Sequence, residues 1–298
     1  MNWKEIEIQT TNQAFSAVSN LLEEAGASGL FTEQVSGSEN EIIIKAYFEE
    51  TNELADNLKK VQKKIEDLRD YDLDIGLANF KVTQVQEEDW ANKWKENFKP
   101  FNITDDIVIK PTWEEYEATA NEIIIEIDPG QAFGTGHHVT TSSCLDAIEE
   151  NLTPQTSVLD LGTGTGILAI AAAKLGADKI VGLDIDPVAV KAARANAKLN
   201  EVSTEIEFLE GNLVDSVEDN YDLVIANILP HIILQLIPNL KEVMHQDSTF
   251  ILSGIVVEKL DEIKQALLDN GFVINDMIRK SEENDDWVTV VGQKAMDN

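Results

Sequence analysis

Val158-Leu159-Asp160-Leu161-Gly162-Thr163-Gly164-Thr165-Gly166 joins an apolar run of strand length to the helix-forming run ILAIAAAK through a turn with three glycines. Glycines at 162 and 164 let the backbone approach a ligand with no Cβ in the way. By itself such a turn suits any nucleotide, so its surroundings decide the fold. Outward from it, SVLDLG (157–162), KIVGLDI (179–185), TEIEFLEG (204–211), YDLVIANI (221–228) and TFILSGI (249–255) are apolar runs separated by helix-like stretches such as PVAVKAARANAKLN. That alternation predicts a parallel sheet covered on both faces. The last two runs, FVINDMIRK and WVTVVGQK, are joined by SEENDD, which leaves no room for a crossover helix. They are expected to pair antiparallel. The reading for residues 119–298 is α/β: a Rossmann-like, mostly parallel seven-stranded sheet with a C-terminal antiparallel hairpin.

Dinucleotide enzymes place a third glycine where this chain has Ile167. Asp160 adds a carboxylate at the end of the first strand, where it would repel a pyrophosphate and attract an ammonium. The turn therefore fits a cationic cofactor, and Asp160, Gly162, Gly164 and Gly166 are assigned to it. Asp184 lies about 20 residues beyond the turn, where such sheets place an acid that accepts ribose hydroxyls. Asp186 before Pro187 reads as a helix cap. Asn212 fits either an adenine edge or ordinary turn chemistry. Asn227, at the end of the fourth run, either accepts a hydrogen bond from an amine or caps the helix beginning near Pro230. Ahead of the turn, DPGQAFGTGHHVTTSSC suggests a flexible lid formed by Phe133 to Gly136 over the cofactor, with Thr140 or Thr141 bonding it from a helix start. His137 and His138 lack a matched carboxylate or Cys partner, so no metal is expected.

Residues 1–86 follow a βαββαβ order, with strands at 3–10, 29–36, 41–49 and 78–86 and helices at 12–25 and 51–69. Leu54, Leu58, Val61, Ile65 and Leu68 recur at helical spacing. A ferredoxin-like α+β module is expected, serving either substrate recognition or scaffolding. In the linker, 87–118, Trp90, Trp94 and Phe98 line one face of a short helix that Pro100 ends, a stripe read as packing. One cysteine, Cys144, allows no internal disulfide. No run approaches the roughly 18 apolar residues of a membrane helix, so a cytoplasmic protein is expected. The net charge of −32 disfavours contact with a phosphate backbone unless a concentrated basic patch offsets it, and none is evident in the sequence. The excess carboxylates either keep the chain soluble or attract a basic partner.

Together, DWxxxWKxxF, FGTGxHxTT, LDLGTGTGILAIAA, GLDIDP and VIANIL resemble the methyltransferase family of large-subunit ribosomal protein L-eleven. The resemblance covers the linker and nearly all of the second domain, while the first agrees only in its βαββαβ outline. It implies S-adenosylmethionine as cofactor, held by Thr141, Gly162, Asp184 and Asn227. It also implies a first domain that recognises the ribosomal protein, a basic partner, and methyl transfer to its amino groups; with a lysine amine as acceptor, Asn227 is read as the catalytic residue that orients its lone pair. A monomer with no sequence-specific nucleic-acid or membrane contact is expected. Val139 departs from the proline that members commonly carry. Alternative acceptors are an RNA base or a release-factor glutamine, but the latter calls for NPPY where this chain has NILP. A nicotinamide-dependent oxidoreductase and a binding-only protein are the remaining alternatives.

Overall fold

The structure, a computed structural model, describes residues 2–295 apart from 28, 36–37, 39, 52–53, 72, 87–97, 120, 129–135, 137, 203, 216 and 283–284. The chain forms two compact units, Met1–Phe98 and Lys99–Asn298. Trp90 and Trp94 of the expected linker helix lie outside the described residues; Phe98 is buried.

The first unit runs β1 (Asn2–Thr11), α1 (Phe15–Glu24), β2 (Gly29–Gln34), β3 (Glu41–Glu49), α2 (Leu54–Asp67), β4 (Asn79–Gln86). Its strands pair antiparallel in the order β2-β3-β1-β4, the ferredoxin-like arrangement expected from the βαββαβ pattern. Ile6, Ile8 and Ile44 pack with Val18 and Leu22 of α1 and Val61 and Ile65 of α2, whose spacing follows the helical period. Helix α1 starts three residues later than expected. Thr11 accepts a hydrogen bond from the Ala14 amide (3.4 Å), and Asn12–Ala14 forms a 3-10 turn first.

The second unit opens with a three-stranded sheet of β5 (Phe101–Asn102), β6 (Ile107–Pro111) and β7 (Ile123–Ile127). The first two strands fall where a connector to residue 118 was expected. Ile107, Val108 and Ile109 are all fully buried, and β6 pairs parallel with β7. Then follow α3 (Val139–Asn151), β8 (Ser157–Leu161), α4 (Ile167–Lys174), β9 (Lys179–Asp184), α5 (Pro187–Leu199) and β10 (Ile206–Glu210). The chain continues through β11 (Tyr221–Asn227), α6 (Pro230–Leu236), β12 (Met244–Val256), α7 (Leu260–Asp269), β13 (Phe272–Glu282) and β14 (Asp285–Lys294).

The sheet order is β10-β9-β8-β11-β12-β14-β13. Strands β8 to β12 pair parallel, and β14 runs antiparallel to both β12 and β13, as the short SEENDD connection requires. Burial of β8 and β11 on both faces explains why they read as continuous apolar runs rather than alternating ones. From β8 the chain steps to β9 and β10 on one side, then returns to β11 on the other. The carboxyl end of β8 is therefore the switch point, where sheets of this kind bind ligands. Among the described residues no helix is long and apolar enough to cross a membrane.

Candidate active site

The glycine turn occupies that switch point. The amides of Gly162 and Thr163 both donate to the Leu183 carbonyl of β9, at 2.8 and 2.9 Å, and Gly166 donates to Thr163 at 2.8 Å. These bonds bend the chain sharply between β8 and α4. Gly162, Gly164 and Gly166 take φ of 72, 54 and 83°. At Gly162 a Cβ would lie 2.4 Å from Ile228 Cγ2, so glycine is required by close approach as well as by backbone angle.

Asp160 ends β8 beneath this turn and is completely buried. Its Oδ2 accepts the Thr163 hydroxyl at 2.6 Å, while Oδ1 has no partner among the described residues. Burial is the main cause that pushes the carboxyl up to about 6, aided by the charge of Asp184 and opposed by the Thr163 hydroxyl and the backbone N–H of Ala169. A buried carboxylate with an unsatisfied oxygen is costly unless something positive or proton-donating meets it. The ammonium of a methionine moiety is such a group, and the glycine cradle admits it closely. On both counts the residues present fit S-adenosylmethionine.

Asp184 ends β9 facing the same turn. Its Oδ2 accepts the Gly164 amide at 2.9 Å and Oδ1 the Asp186 amide at 3.0 Å, which fixes the carboxylate and leaves each oxygen a further lone pair. Asp186 caps α5 through the Val188 amide at 2.8 Å, with Pro187 in the first turn, as expected. Asn212 resolves to turn chemistry: it is exposed, its amide donates to Asp215 Oδ2 at 3.1 Å, and its carbonyl accepts the Asp215 amide.

Asn227 ends β11, beside β8, half-buried. The capping alternative for this residue does not apply, because the N-cap of α6 is Leu229. Among the described residues the Asn227 side chain has no hydrogen-bond partner, which leaves both its donor and its acceptor for a ligand. Gly254 is a contributor the sequence reading missed. Its φ is 83°, and a Cβ there would sit 2.4 Å from the Ile228 carbonyl oxygen, so β12 can approach the chain following Asn227 only with glycine. A glycine inside the apolar run TFILSGI was the available signal.

Of the expected lid, Phe133, Gly134 and Thr135 lie outside the described residues, as does His137. Gly136 is buried. Thr141 is buried in the first turn of α3, its amide donating to the His138 carbonyl at 3.0 Å. His138 is the N-cap of this helix: its Nδ1 accepts the Thr140 amide at 3.3 Å and meets the Thr140 hydroxyl at 2.7 Å. With Nδ1 accepting, the ring proton belongs on Nε2, 3.4 Å from Glu282 Oε2. Trp287 packs edge-on against the ring at 4.6 Å, so the C-terminal hairpin braces the start of α3. Burial lowers the His138 pKa, opposed by Glu282 and Asp285. Among the described residues no three metal-binding side chains cluster.

Elsewhere, the outer side of α5 carries Lys191, Arg194 and Lys198 along a groove of about 460 Å³ that also includes Glu210. With a carboxylate among three cations, this is a mixed surface, and it contains none of the site residues named above.

The family model for ribosomal protein L11 methyltransferase (PrmA) matches residues 2–295. The match therefore includes the first unit, in which no motif had been recognised. A ribosomal protein L11 methyltransferase of Halalkalibacterium halodurans is 40% identical over 315 residues, covering 99% of each chain. The one from Bacillus cytotoxicus is 40% identical over 316 residues, covering 99% of this chain and all of its own. A crystal structure of ribosomal protein L11 methylase from Lactobacillus delbrueckii subsp. bulgaricus superposes with a TM-score of 0.63 at 36% identity, covering 67% of this chain and all of that one. The chain belongs to the ribosomal protein L11 methyltransferase family.

Proposed function

We propose that this protein transfers methyl groups from S-adenosylmethionine to amino groups of ribosomal protein L11, lysine side chains foremost. The cofactor follows from the family. The observation that supports the site assignment is the buried Asp160 carboxylate, one oxygen of which has no partner among the described residues, under a glycine turn at the sheet's switch point. Asp160 and the turn hold the methionine end, Asp184 the ribose, and Thr141 contributes from α3. The relatives' names support the acceptor, and a net charge of −32 favours encounter with a basic ribosomal protein. The first unit is assigned to recognising that substrate.

When bound, the cofactor supplies an electrophilic methyl group on a sulfonium. The acceptor nitrogen must offer a lone pair: a C–N bond forms, the C–S bond breaks with its electrons going to sulfur, and the amine proton is lost to solvent. A lysine with an ordinary pKa of about 10.4 pays about 4.6 kcal/mol to be neutral at pH 7. Exclusion of water lowers that cost by disfavouring the ammonium. The Asn227 side-chain carbonyl accepts an N–H of the neutral amine and so points its lone pair at the methyl group. In this scheme the protein works by alignment and desolvation, without a dedicated general base.

The test is incubation of ribosomal proteins with methyl-labelled cofactor, followed by mass spectrometry. Label is expected on lysines of ribosomal protein L11; label on RNA alone overturns the acceptor assignment. Asn227→Ala, assayed at saturating cofactor, is expected to lose about 10- to 100-fold in kcat. An unchanged kcat removes Asn227 from the mechanism.

A further inference from the structure

Asn196 of helix α5 and Asn200 at its C-cap are both buried, and they do similar chemistry at different places. Asn200, 7% exposed, accepts the Glu126 amide on Oδ1 at 2.8 Å and donates Nδ2 to the Glu126 carbonyl at 2.7 Å, so it serves β7 alone outside its own helix. Asn196, completely buried, divides its amide between two segments. Its Oδ1 accepts the Asp128 amide at 2.9 Å, and its Nδ2 donates to the Thr165 carbonyl at 2.9 Å. Asp128 is the residue at which β7 hands over to the FGTG motif. Thr165 stands between Gly164 and Gly166 in the cofactor turn.

From this division we infer that Asn196 is a positioning residue for cofactor binding. It holds the peptide between Thr165 and Gly166 in one orientation, and it fixes the distance from the glycine turn to the end of β7. On its C-terminal side that peptide adjoins Gly166, whose φ of 83° costs glycine little, as do other values, so the fold must select one orientation. A turn made of glycine needs its shape imposed from outside. The buried Asn196 amide does so by donating to the Thr165 carbonyl while its oxygen is tied to the Asp128 amide. Asn200 supplies the comparison: at the C-cap of the same helix, with the same side-chain chemistry and, among the described residues, no hydrogen bond to the glycine turn.

The experiment uses the full chain, with Asn196→Asp and Asn200→Asp as near-isosteric variants and Asn196→Ala as a second change at the first position. Each replacement by Asp keeps the acceptor and removes the donor. Affinity for S-adenosylmethionine is measured by calorimetry and stability by thermal unfolding. Both Asp variants are expected to lower the melting temperature by similar amounts. Asn196→Asp is expected to raise the cofactor Kd about tenfold, and Asn200→Asp by less than about twofold, because only the former frees the turn. Equal shifts in Kd for the two positions, or a cofactor Kd unmoved by both Asn196 variants, overturn the assignment. The readout is cofactor binding, so it is separable from any failure of the proposed acceptor.

Discussion

Each unit buries a polar atom that finds no partner among the described residues, but the two atoms differ in kind. In the first unit one such atom is Ser19 Oγ of α1, a neutral hydroxyl; in the second it is Asp160 Oδ1, part of a carboxyl group. An unpaired hydroxyl costs a few kcal/mol at most, whereas an unpaired carboxylate costs far more and shifts its pKa to escape the charge. Apolar packing and locally closed bonds account for the first unit, as where Thr10 donates its hydroxyl to the Ile75 carbonyl at 3.2 Å. The second unit folds around an electrostatic cost that, on the proposed assignment, a cationic ligand would relieve. The comparison teaches where binding energy can be gained, and substitutions can break or sharpen it.

The largest effect is expected from Ile65→Ala in α2. This residue is fully buried in the first unit's core, and its truncation should cost about 2–5 kcal/mol of stability by calorimetric unfolding. Below the transition, cofactor affinity should stay unchanged; a moved Kd would show that the first unit shapes the site. Next, Gly162→Ala should weaken cofactor binding by at least about a hundredfold, or about 2.8 kcal/mol, in isothermal titration. Its Cβ meets Ile228 at 2.4 Å in a backbone conformation that alanine disfavours.

The third effect concerns pH. Burial raises the Asp160 carboxyl to about 6, and a cationic ligand binds the ionised form. Cofactor affinity should therefore be level above about pH 7 and fall below pH 6, approaching about tenfold per pH unit. Asp160→Asn should bind weakly with no such slope, and a slope retained in that variant would sink the pairing. In the ligand-free protein the sign reverses. The folded state holds this proton more tightly than the unfolded chain does, so the group's stabilising contribution is full below pH 3.8 and is lost as pH rises through about 6.

The smallest effect is that of the helix cap. Replacing His138 by Ala should cost about 1 kcal/mol in thermal unfolding, and His138→Asn, which restores an acceptor for the Thr140 amide, should recover most of it. If Asn recovers nothing, the contribution of His138 comes from packing on Trp287 rather than from capping.

Much of the fold was legible because its signals were local. The strands β8, β9, β11 and β12 are apolar runs that read the same in isolation as in the sheet, and the short SEENDD connection permits only an antiparallel hairpin. β5 and β6 were not legible in this way. A two-residue strand carries no periodicity, and Ile107–Pro111 beside the acidic WEEYE resembled a connector until it found β7 as a partner. The same division runs through the site. Gly162, Asp184 and the Asp186-Pro187 cap are recognisable from residue type and spacing, since their bonds reach across the adjoining β8 and β9 ends.

What the sequence alone determined, then, is the order of elements, the glycine turn with its neighbouring acids, and the motifs that mark the family. What only the tertiary structure decided is which polar groups are left waiting. That Asp160 Oδ2 meets Thr163 while Oδ1 has no partner among the described residues, that the Asn212 side chain donates to Asp215 while among those residues Asn227 bonds to none, and that Asn196 reaches Thr165 from 31 positions away all depend on what surrounds each group. Hydrogen bonding and desolvation act over a few ångströms in space, and no spacing along the chain encodes them.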